Sequence, residues 1–331
     1  MSRLYWGDKS YKIRQMSRCL VCYNSNGLGS GKDYHQKCSL KIFGSMEPPE
    51  LVYHLNDMKA LAKKIIQSHG VITGVQPKIS LGIKKAKRER GRLTLMIGDY
   101  ILKPPSEYFA QMPETEDLTM HLAEICEIQT VPHALIPLAS GELSYITKRV
   151  DREYDSKIHM EDFCQLSELL TENKYNSSME RVGKIAKKFS AYPGLDLINV
   201  FELTIFSFIV GNNDMHLKNF SLIDDDRGWH LSPAYDLLNV NLVNKKDLEE
   251  TALTINGKKR KLNLGDFLEL ANAYELNEAQ VRNAFEKILS KEKEMSDFIS
   301  ISFIDDNYKD QYKYILQSRC EILRKNNDNI A

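Results

Sequence analysis

Polar side chains that could do chemistry are concentrated at residues 211–219, which read GNNDMHLKN after an apolar stretch. Asp214 and Asn219 are five positions apart. A carboxylate can act as a general base toward a hydroxyl, and an amide oxygen is a suitable ligand for Mg²⁺. Gly211 is a natural cap for the preceding helix, so an irregular loop is expected to begin there. The spacing predicts that this loop brings a base and a metal ligand together.

A second candidate ligand, Asp236, follows a predicted β-hairpin. Residues 220–231 read as two strands around a polar turn, and the returning strand leads to Asp236. The hairpin would bring Asp236 beside Asn219, where two oxygen ligands suit Mg²⁺ bound to nucleotide phosphates. The acidic residues 224–226 are an alternative metal cluster, but at a hairpin tip they are more typical of solvated surface. In protein kinases, the catalytic aspartate and a metal-binding asparagine are separated by the same interval as Asp214 and Asn219.

An upstream strand ends in a lysine. Residues 100–105 read YILKPP, so Lys103 ends an apolar strand, the position of the phosphate-contacting lysine of kinases. The alternative is a solvent-exposed lysine, which is the commoner situation for an isolated one. Residues 74–82, GVQPKISLG, could bind phosphates through backbone N–H groups, although the segment has few glycines.

Three cysteines and a histidine near the start of the chain have the spacing of a metal site. Cys19 and Cys22 form one close pair, and His35 and Cys38 form another. Two close pairs separated by a turn-rich segment suit tetrahedral Zn²⁺. The alternative is four unrelated residues. A catalytic zinc is not expected, because four protein ligands leave no open position.

The surrounding elements indicate an α+β protein with two unequal lobes. A helix is predicted at residues 50–68, then strands near 79–83, 93–97, 100–103, 134–138 and 143–147, with a helix at 115–127. Helices are then predicted near 161–171, 178–190, 195–210, 264–274, 277–290 and 308–324. We therefore expect a Cys/His segment at 1–44, a β-rich lobe at 45–150 and a helical lobe at 151–331.

Composition excludes little but is informative about partners. The 331 residues include 45 Lys and Arg against 45 Asp and Glu, whereas dedicated nucleic-acid binders usually have a basic surplus. The basic run at 84–90 is more typical of a solvated hairpin turn. The sequence has neither the long apolar run of a membrane span nor an N-terminal signal-peptide pattern, so we expect a cytoplasmic protein without direct nucleic-acid or membrane contact.

Six motifs, in order, carry a resemblance to a known family. The chain resembles the HipA family, bacterial serine/threonine protein kinase toxins of type II toxin–antitoxin systems, over about residues 70–290. The resemblance implies a two-lobed protein-kinase-like fold. The motifs are GVQPK at 74–78, ILKP at 101–104, EDLTMHLAE at 116–124 with VP at 131–132, TKRVDR at 147–152, GNNDMHLKNF at 211–220 and LSPAYDL at 231–237.

The resemblance implies roles for the loop and metal residues. Asp214 would be the catalytic base or would orient the substrate hydroxyl, and Asn219 and Asp236 would hold Mg²⁺. His216 and Lys218 would support the loop, and Lys218 could also stabilise the transferred phosphoryl group.

The resemblance also implies an ATP site. Lys103 would contact the α-phosphate, and the segment Lys148-Arg149-Val150 would be the hinge whose backbone contacts adenine. Glu116 would pair with Lys103, with Glu114 and Glu124 as competitors that the sequence does not eliminate. The phosphate loop would comprise Gly74, Val75, Gln76 and Lys78.

Two departures from the family pattern affect the expected partners. The chain looks like the short, HipT-like form, with the Cys/His segment in place of an N-terminal subdomain that a separate protein could supply. The family often has an autophosphorylated serine before the phosphate loop, and Thr73 is the nearest hydroxyl here. The expected partners are antitoxin proteins of the same operon, including a DNA-binding one, and the substrate would be a translation component such as an aminoacyl-tRNA synthetase.

Two other functions stay open at this stage. The chain could be a catalytically inactive, pseudokinase-like binding module, although Lys103, Asp214, Asn219 and Asp236 are all present. It could also be a zinc-dependent nucleic-acid-binding protein that uses the Cys/His segment and the basic turn, although the neutral net charge disfavours this.

Overall fold

The computed structural model describes residues 18–58, 60–61, 77–84, 91–153 and 156–325. The chain divides into two compact units. The first comprises residues 1–105 and 134–146, and the second comprises 106–133 and 147–331. The domain limits that we predicted from the sequence stay a prediction.

The first unit is built on a five-stranded sheet with strand order β2-β1-β3-β5-β4. A short helix, α1 (Gln36–Phe43), precedes the sheet, and residues 55–58 and 60–61 are also helical, inside the helix predicted at 50–68. The strands are β1 (Ile79–Lys84), β2 (Arg92–Leu95), β3 (Tyr100–Lys103), β4 (His133–Pro137) and β5 (Leu143–Lys148).

The register of this sheet is set by its buried apolar face. β1 pairs antiparallel with β2 through Leu81 and Leu95, and with β3 through Ile79 and Leu102. Leu81 and Leu102 are fully buried. Because side chains alternate along a strand, a shift by one residue would move this apolar set to the other face. All five strands agree with the sequence prediction to within two residues at each end.

The second unit is mostly helical. Its helices are α2 (Met112–Ile125), α3 (Phe163–Leu166), α4 (Met179–Phe189), α5 (Pro193–Ile209), α6 (Val240–Val243), α7 (Leu264–Ala273), α8 (Glu278–Leu289), α9 (Glu292–Ser300) and α10 (Asp306–Arg324). Among the described residues, none of the helices combines the length and the apolar character needed to cross a membrane. Residues 193–209 form the most apolar helix, and most of its residues are buried.

Two small sheets complete the second unit. β8 (His159–Asp162), β9 (Ser221–Asp225) and β10 (Gly228–Leu231) form a three-stranded sheet in the order β10-β9-β8, and β6 (Arg152–Glu153) pairs with β7 (Ser156–Lys157). The β9–β10 hairpin is the one predicted from the sequence.

The helix predicted at residues 161–171 is wrong in most of its length. Within that range only α3 is α-helical, and residues 161 and 162 are extended because β8 pairs with β9. Asp162 stays extended and caps α3, accepting a hydrogen bond from the backbone of Gln165. The sequence pattern does not predict helices α1, α6 and α9.

Candidate active site

The candidate catalytic loop begins where the buried helix α5 ends. Gly211 has a φ of +75°, in the left-handed region, and a Cβ atom there would lie 2.7 Å from Oδ1 of Asn239. Only glycine enters this turn without strain. The next residue, Asn212, donates its backbone N–H to the carbonyl of Ser207 at 2.8 Å. The chain thereby leaves the helix abruptly, and the polar loop follows.

Asp214 and Asn219 lie together, as their spacing predicted. The side-chain amide of Asn219 donates to the backbone carbonyl of Asp214 at 2.9 Å. The same carbonyl accepts the backbone N–H of His216 at 2.8 Å. With its N–H₂ group used in this way, Asn219 retains a side-chain oxygen that could bind a cation. The asparagine is 4% exposed, whereas the Asp214 side chain is 46% exposed and reachable by a substrate.

Asp236 is brought to the loop by its neighbour Tyr235. The Tyr235 hydroxyl donates to the carbonyl of Lys218 at 2.9 Å and lies 2.5 Å from the Ser221 hydroxyl. These contacts fasten the residue before Asp236 to the residue before Asn219. Asp236 has a φ of +60°, a conformation that is uncommon for a side chain with a Cβ atom and that tends to occur at functional positions.

A tyrosine that the sequence did not point to contacts the candidate base. The Tyr175 hydroxyl donates to Oδ1 of Asp214 at 2.5 Å, and its ring meets the His216 ring edge-on, with centroids 4.9 Å apart. Burial raises the pKa of the Tyr175 hydroxyl, and the Asp214 carboxylate adds to the effect. The hydroxyl therefore stays protonated and holds one carboxylate oxygen, which leaves Oδ2 of Asp214 for a substrate hydroxyl.

His216 lies beneath the loop as a neutral group. It is 5% exposed, and burial lowers the pKa of its imidazole from 6.5 to about 4, although the nearby Asp214 carboxylate opposes this. In the part of the chain that the structure describes, its Nδ1 atom has no hydrogen-bond partner. His216 therefore supports the loop by packing. The Asp236 carboxylate also raises the pKa of both His216 and Tyr175. Asp236 therefore lies near the same two rings as Asp214.

Lys218 is held by an acid from another element. Its Nζ atom lies 2.7 Å from Oδ2 of Asp162, the last residue of β8, and the two side chains are 34% and 14% exposed. The same aspartate caps α3. Lys218 therefore ties the loop to the small sheet, a contact that the sequence did not reveal. Its role toward a phosphoryl group stays a prediction.

Lys103 is buried rather than solvent-exposed. It is 4% exposed, and its Nζ atom lies over the ring of Tyr145 on β5, 5.4 Å from the ring centroid. A buried ammonium group is costly unless negative or π-electron density compensates it. The exposed-lysine alternative is thus excluded. Lys78 is exposed, and Thr73, Gly74, Val75 and Gln76 lie outside the described residues.

The three acidic candidates on α2 differ in their surroundings within the second unit. Glu116 is 1% exposed. Glu124 lies 3.1 Å from the His121 imidazole and accepts a hydrogen bond from the Thr130 hydroxyl at 3.3 Å. Glu124 is therefore already engaged, and Glu114 lies at intermediate exposure. Which glutamate pairs with the strand lysine stays a prediction.

The predicted hinge begins at Lys148, the last residue of β5. Lys148 donates its backbone N–H to the carbonyl of Pro132 at 2.8 Å, and its side chain is exposed. Arg149 makes a bidentate contact with Asp151, at 2.8 and 2.6 Å. Val150 follows in a turn. The segment is thus held by a backbone hydrogen bond of Lys148 and by the contact of Arg149 with Asp151, and its adenine-binding role stays a prediction.

The four Cys/His residues form one cluster in the first unit. The ligand atoms of Cys19, Cys22, His35 and Cys38 all lie within 4.8 Å of one another. Nδ1 of His35 is 3.4 Å from the sulfur of Cys22 and 3.8 Å from that of Cys38. Tetrahedral Zn²⁺ with ordinary bond lengths would separate such atoms by about 3.5 Å. The other ring nitrogen of His35 lies 3.0 Å from the carbonyl of Asn26, the usual outer contact of a metal-bound histidine.

The Cys/His segment covers the edge of the five-stranded sheet. The backbone N–H of Leu135 on the outer strand β4 donates to the carbonyl of Leu20 at 3.1 Å. The Tyr34 hydroxyl donates to the carbonyl of Leu135 at 2.8 Å. Unpaired edge strands invite pairing with other chains. The segment around the cluster pairs the backbone N–H and C=O groups of Leu135 on this edge.

The chain is similar to a known protein family and to relatives named as candidate kinases. The HipA-like C-terminal domain family matches residues 70–295. Y4mE of Sinorhizobium fredii, named as a candidate kinase, is 36% identical over 42% of this chain and 35% of its own length. Y4dM of the same organism, also named as a candidate kinase, is 32% identical over 63% of this chain and 55% of its own length. The chain thus spans about a third to a half of these relatives.

Two solved structures have a similar fold. A chain from the HipA, HipB and operator DNA complex of the Shewanella oneidensis MR-1 toxin–antitoxin system aligns with a TM-score of 0.66 and 19% identity, over 81% of this chain and 72% of that one. The Helicobacter pylori proinflammatory kinase CtkA aligns with a TM-score of 0.51 and 13% identity, over 75% of this chain and 96% of that one. These alignments confirm the predicted α+β, protein-kinase-like fold. Because the family match covers more than half of the chain, the chain belongs to the HipA family through its HipA-like C-terminal domain.

Proposed function

We propose that the chain is an ATP- and Mg²⁺-dependent serine/threonine protein kinase. The observation that carries this proposal is the loop in which the Asn219 amide donates to the Asp214 carbonyl, with Tyr235 bonded to the same loop one residue before Asp236. A base and two oxygen ligands on these neighbouring segments would suit phosphoryl transfer.

The residues would divide the work as follows. Asp214 orients the substrate hydroxyl and accepts its proton through Oδ2, while Tyr175 holds Oδ1. The oxygens of Asn219 and Asp236 suit Mg²⁺, which would neutralise phosphate charge when bound. Lys103 contacts a phosphate of ATP, so that catalysis rests on positioning and charge neutralisation.

The remaining nucleotide contacts follow from the family pattern. The backbone of Lys148 and Val150 would contact adenine, and the segment from Gly74 to Lys78 would contact phosphates. Glu116 would hold Lys103 in place, and Thr73 would be the autophosphorylation site.

We propose that the kinase acts as a toxin restrained by antitoxin proteins. Support comes from the solved HipA relative, which was determined with HipB and operator DNA. The 45 basic and 45 acidic residues of this chain leave no net charge, so a partner would supply most of the basic surface for DNA. A separate protein resembling the family's N-terminal subdomain is a second expected partner, and a translation component such as an aminoacyl-tRNA synthetase is the expected substrate.

We propose further that Cys19, Cys22, His35 and Cys38 hold a structural Zn²⁺. The four donors match the preference of Zn²⁺ for sulfur and imidazole nitrogen. Burial and the neighbouring cysteines raise the pKa of the Cys38 thiol. A cation would therefore be needed for the sulfurs to lie together as thiolates.

The test is transfer of labelled phosphate from ATP in the presence of Mg²⁺. Replacing the base, Asp214→Asn, should lower the rate by about 10² to 10⁴-fold. Asp226→Asn, at the exposed hairpin tip, is the matched control and should leave the rate unchanged. Phosphoamino-acid analysis would show phosphoserine or phosphothreonine.

Other outcomes point elsewhere. Nucleotide binding without transfer would favour an inactive, pseudokinase-like module, and neither binding nor transfer would reject the kinase. Growth arrest on expression, relieved by Asp236→Asn, would support the toxin role. A tyrosine product would reject the serine/threonine assignment alone.

A further inference from the structure

Two histidines and two carboxylates form a second cluster, which lies in the second unit and outside the catalytic loop. Asp117, His121 and Glu124 lie on successive turns of α2, and His133 is the first residue of β4. Intervals of four and three residues put the α2 side chains on one helix face. The Asp117 side chain is fully buried, those of His133 and His121 are 1% and 10% exposed, and that of Glu124 is 35% exposed.

Each imidazole lies between the two carboxylates. Nδ1 of His133 is 2.7 Å from Oδ1 of Asp117, and Nε2 of His121 is 3.6 Å from Oδ2 of the same residue. On the other side, Nδ1 of His121 is 3.1 Å from Oε2 of Glu124, and Nε2 of His133 is 3.9 Å from Oε1. The ring centroids are 4.5 Å apart. One nitrogen of each ring therefore faces Asp117, and the other faces Glu124.

The arrangement offers three metal-binding groups, with the Glu124 carboxylate behind the two imidazoles. We propose that Asp117, His121 and His133 bind a divalent transition-metal ion of the Zn²⁺ type. The ligand atoms of these three residues lie within 4.8 Å of one another. Glu124 faces the opposite ring nitrogens, where a carboxylate fixes the tautomer of a metal-bound histidine. Two imidazoles and one carboxylate, without sulfur, suit Zn²⁺ and its neighbours among the divalent metals.

Binding requires a small rearrangement that balances in charge. When the ion binds, the proton on Nδ1 of His133 is exchanged through solvent for one on Nε2, so that the ring stays neutral, Nδ1 can bind the ion and the Nε2–H group faces Glu124. The two atoms, now 2.7 Å apart, would separate to about 3.3 Å, the ligand spacing around tetrahedral Zn²⁺. A water molecule would take the fourth position.

The ion would fix α2 to His133, both of which belong to the second unit. Asp117 follows Glu116 directly, so an ion that holds Asp117 also limits how Glu116 can turn. The competing explanation is a plain hydrogen bond between Asp117 and His133 that fastens the helix without any ion. The two explanations differ in metal content, and neither depends on kinase activity.

The test is a Co²⁺ titration of the metal-free full chain, followed by absorption spectroscopy. Cobalt in the Cys/His cluster gives intense thiolate-to-metal charge-transfer bands, whereas cobalt bound by nitrogen and oxygen gives weak d–d bands alone. We expect one equivalent without charge transfer in the parent chain. His121→Asn should lose this equivalent and keep the thiolate bands. His159→Asn, at an exposed histidine of β8, is the matched control and should keep both.

Two results would overturn the proposal. The first is a parent chain that binds no cobalt outside thiolate coordination at concentrations that fill the Cys/His cluster. The second is a folded His121→Asn chain that retains the weak-band equivalent. Should His121→Asn not fold, the parent chain decides through ¹¹³Cd NMR, where a resonance in the nitrogen/oxygen range supports the site and a thiolate-range resonance alone rejects it.

Discussion

The ion pair between Lys218 and Asp162 allows two roles of Lys218 to be distinguished. The lysine either positions the loop or acts directly on the phosphoryl group. If the lysine positions the loop, either Lys218→Met or Asp162→Asn should impair phosphoryl transfer. If the lysine acts directly on the phosphoryl group, Asp162→Asn should have little effect on transfer. The 2.7 Å contact favours positioning, so we expect both single variants to lower kcat/KM by about tenfold, equivalent to about 1.4 kcal/mol.

The strength of this pair can be bounded from its geometry. At 2.7 Å and an effective dielectric constant of 20, Coulomb attraction is about 6 kcal/mol, most of which offsets desolvation and lost side-chain entropy. Exposed pairs contribute about 0–1 kcal/mol, and breaking a buried pair costs about 3–5 kcal/mol. With side chains 34% and 14% exposed, a coupling free energy of about 1–3 kcal/mol is expected.

A double-mutant cycle measures this coupling. Urea unfolding and initial transfer rates would be recorded for the parent, Lys218→Met, Asp162→Asn and the double variant. The control pair is Lys187 and Glu275, whose charged atoms lie 2.6 Å apart but whose side chains are 51% and 73% exposed, so its coupling should stay below about 1 kcal/mol. An inactive Lys218→Met beside a fully active Asp162→Asn would refute the positioning role.

Three further predictions concern pH, backbone and metal. Because burial lowers the pKa of His216 from 6.5 to about 4, only the unfolded chain takes up this proton between those values; stability should fall by about 3 kcal/mol as pH drops from 6.5 to 4. Urea unfolding at several pH values should show a shallower fall for His216→Gln, and equal slopes would contradict this. Gly211→Ala, which crowds Asn239 at φ +75°, should destabilise by about 2 kcal/mol or more, whereas Gly194→Ala, with nothing within 4 Å, should be neutral. Their unfolding midpoints in urea decide this, and similar values would contradict the argument. Chelation, or Cys22→Ser, should lower the melting temperature measured by differential scanning fluorimetry, and a chelator-insensitive parent would argue against the zinc.

The features predicted best from the sequence are those that depend on residues close together along the chain. Asp214 and Asn219 lie together because they are five positions apart in one loop, and each Cys/His pair forms because its members are three positions apart. Strand positions followed from alternating apolar residues such as Leu81. These features depend on local geometry, which a single sequence contains.

Contacts between distant segments were not predictable in the same way. Tyr175 reaches Asp214 across 39 positions, and Lys218 reaches Asp162 across 56. No periodicity or motif marks either partner, because the fold alone brings them together. The error at β8 has the same origin, since pairing with β9 overrode the local helical pattern. A capping signal, Asp162 followed by Gln165 three positions later, could have placed the start of α3 correctly.

The covered edge of β4 has a consequence for any shortened version of the chain. The family match begins at residue 70, whereas the backbone that satisfies Leu135 comes from Leu20. Cutting the chain to the matched region would leave an open strand whose N–H and C=O groups could template a strand from another molecule. Such a fragment should self-associate and precipitate even with every catalytic residue present. The Cys/His segment therefore keeps the edge of β4 paired and should prevent the sheet from associating with other chains.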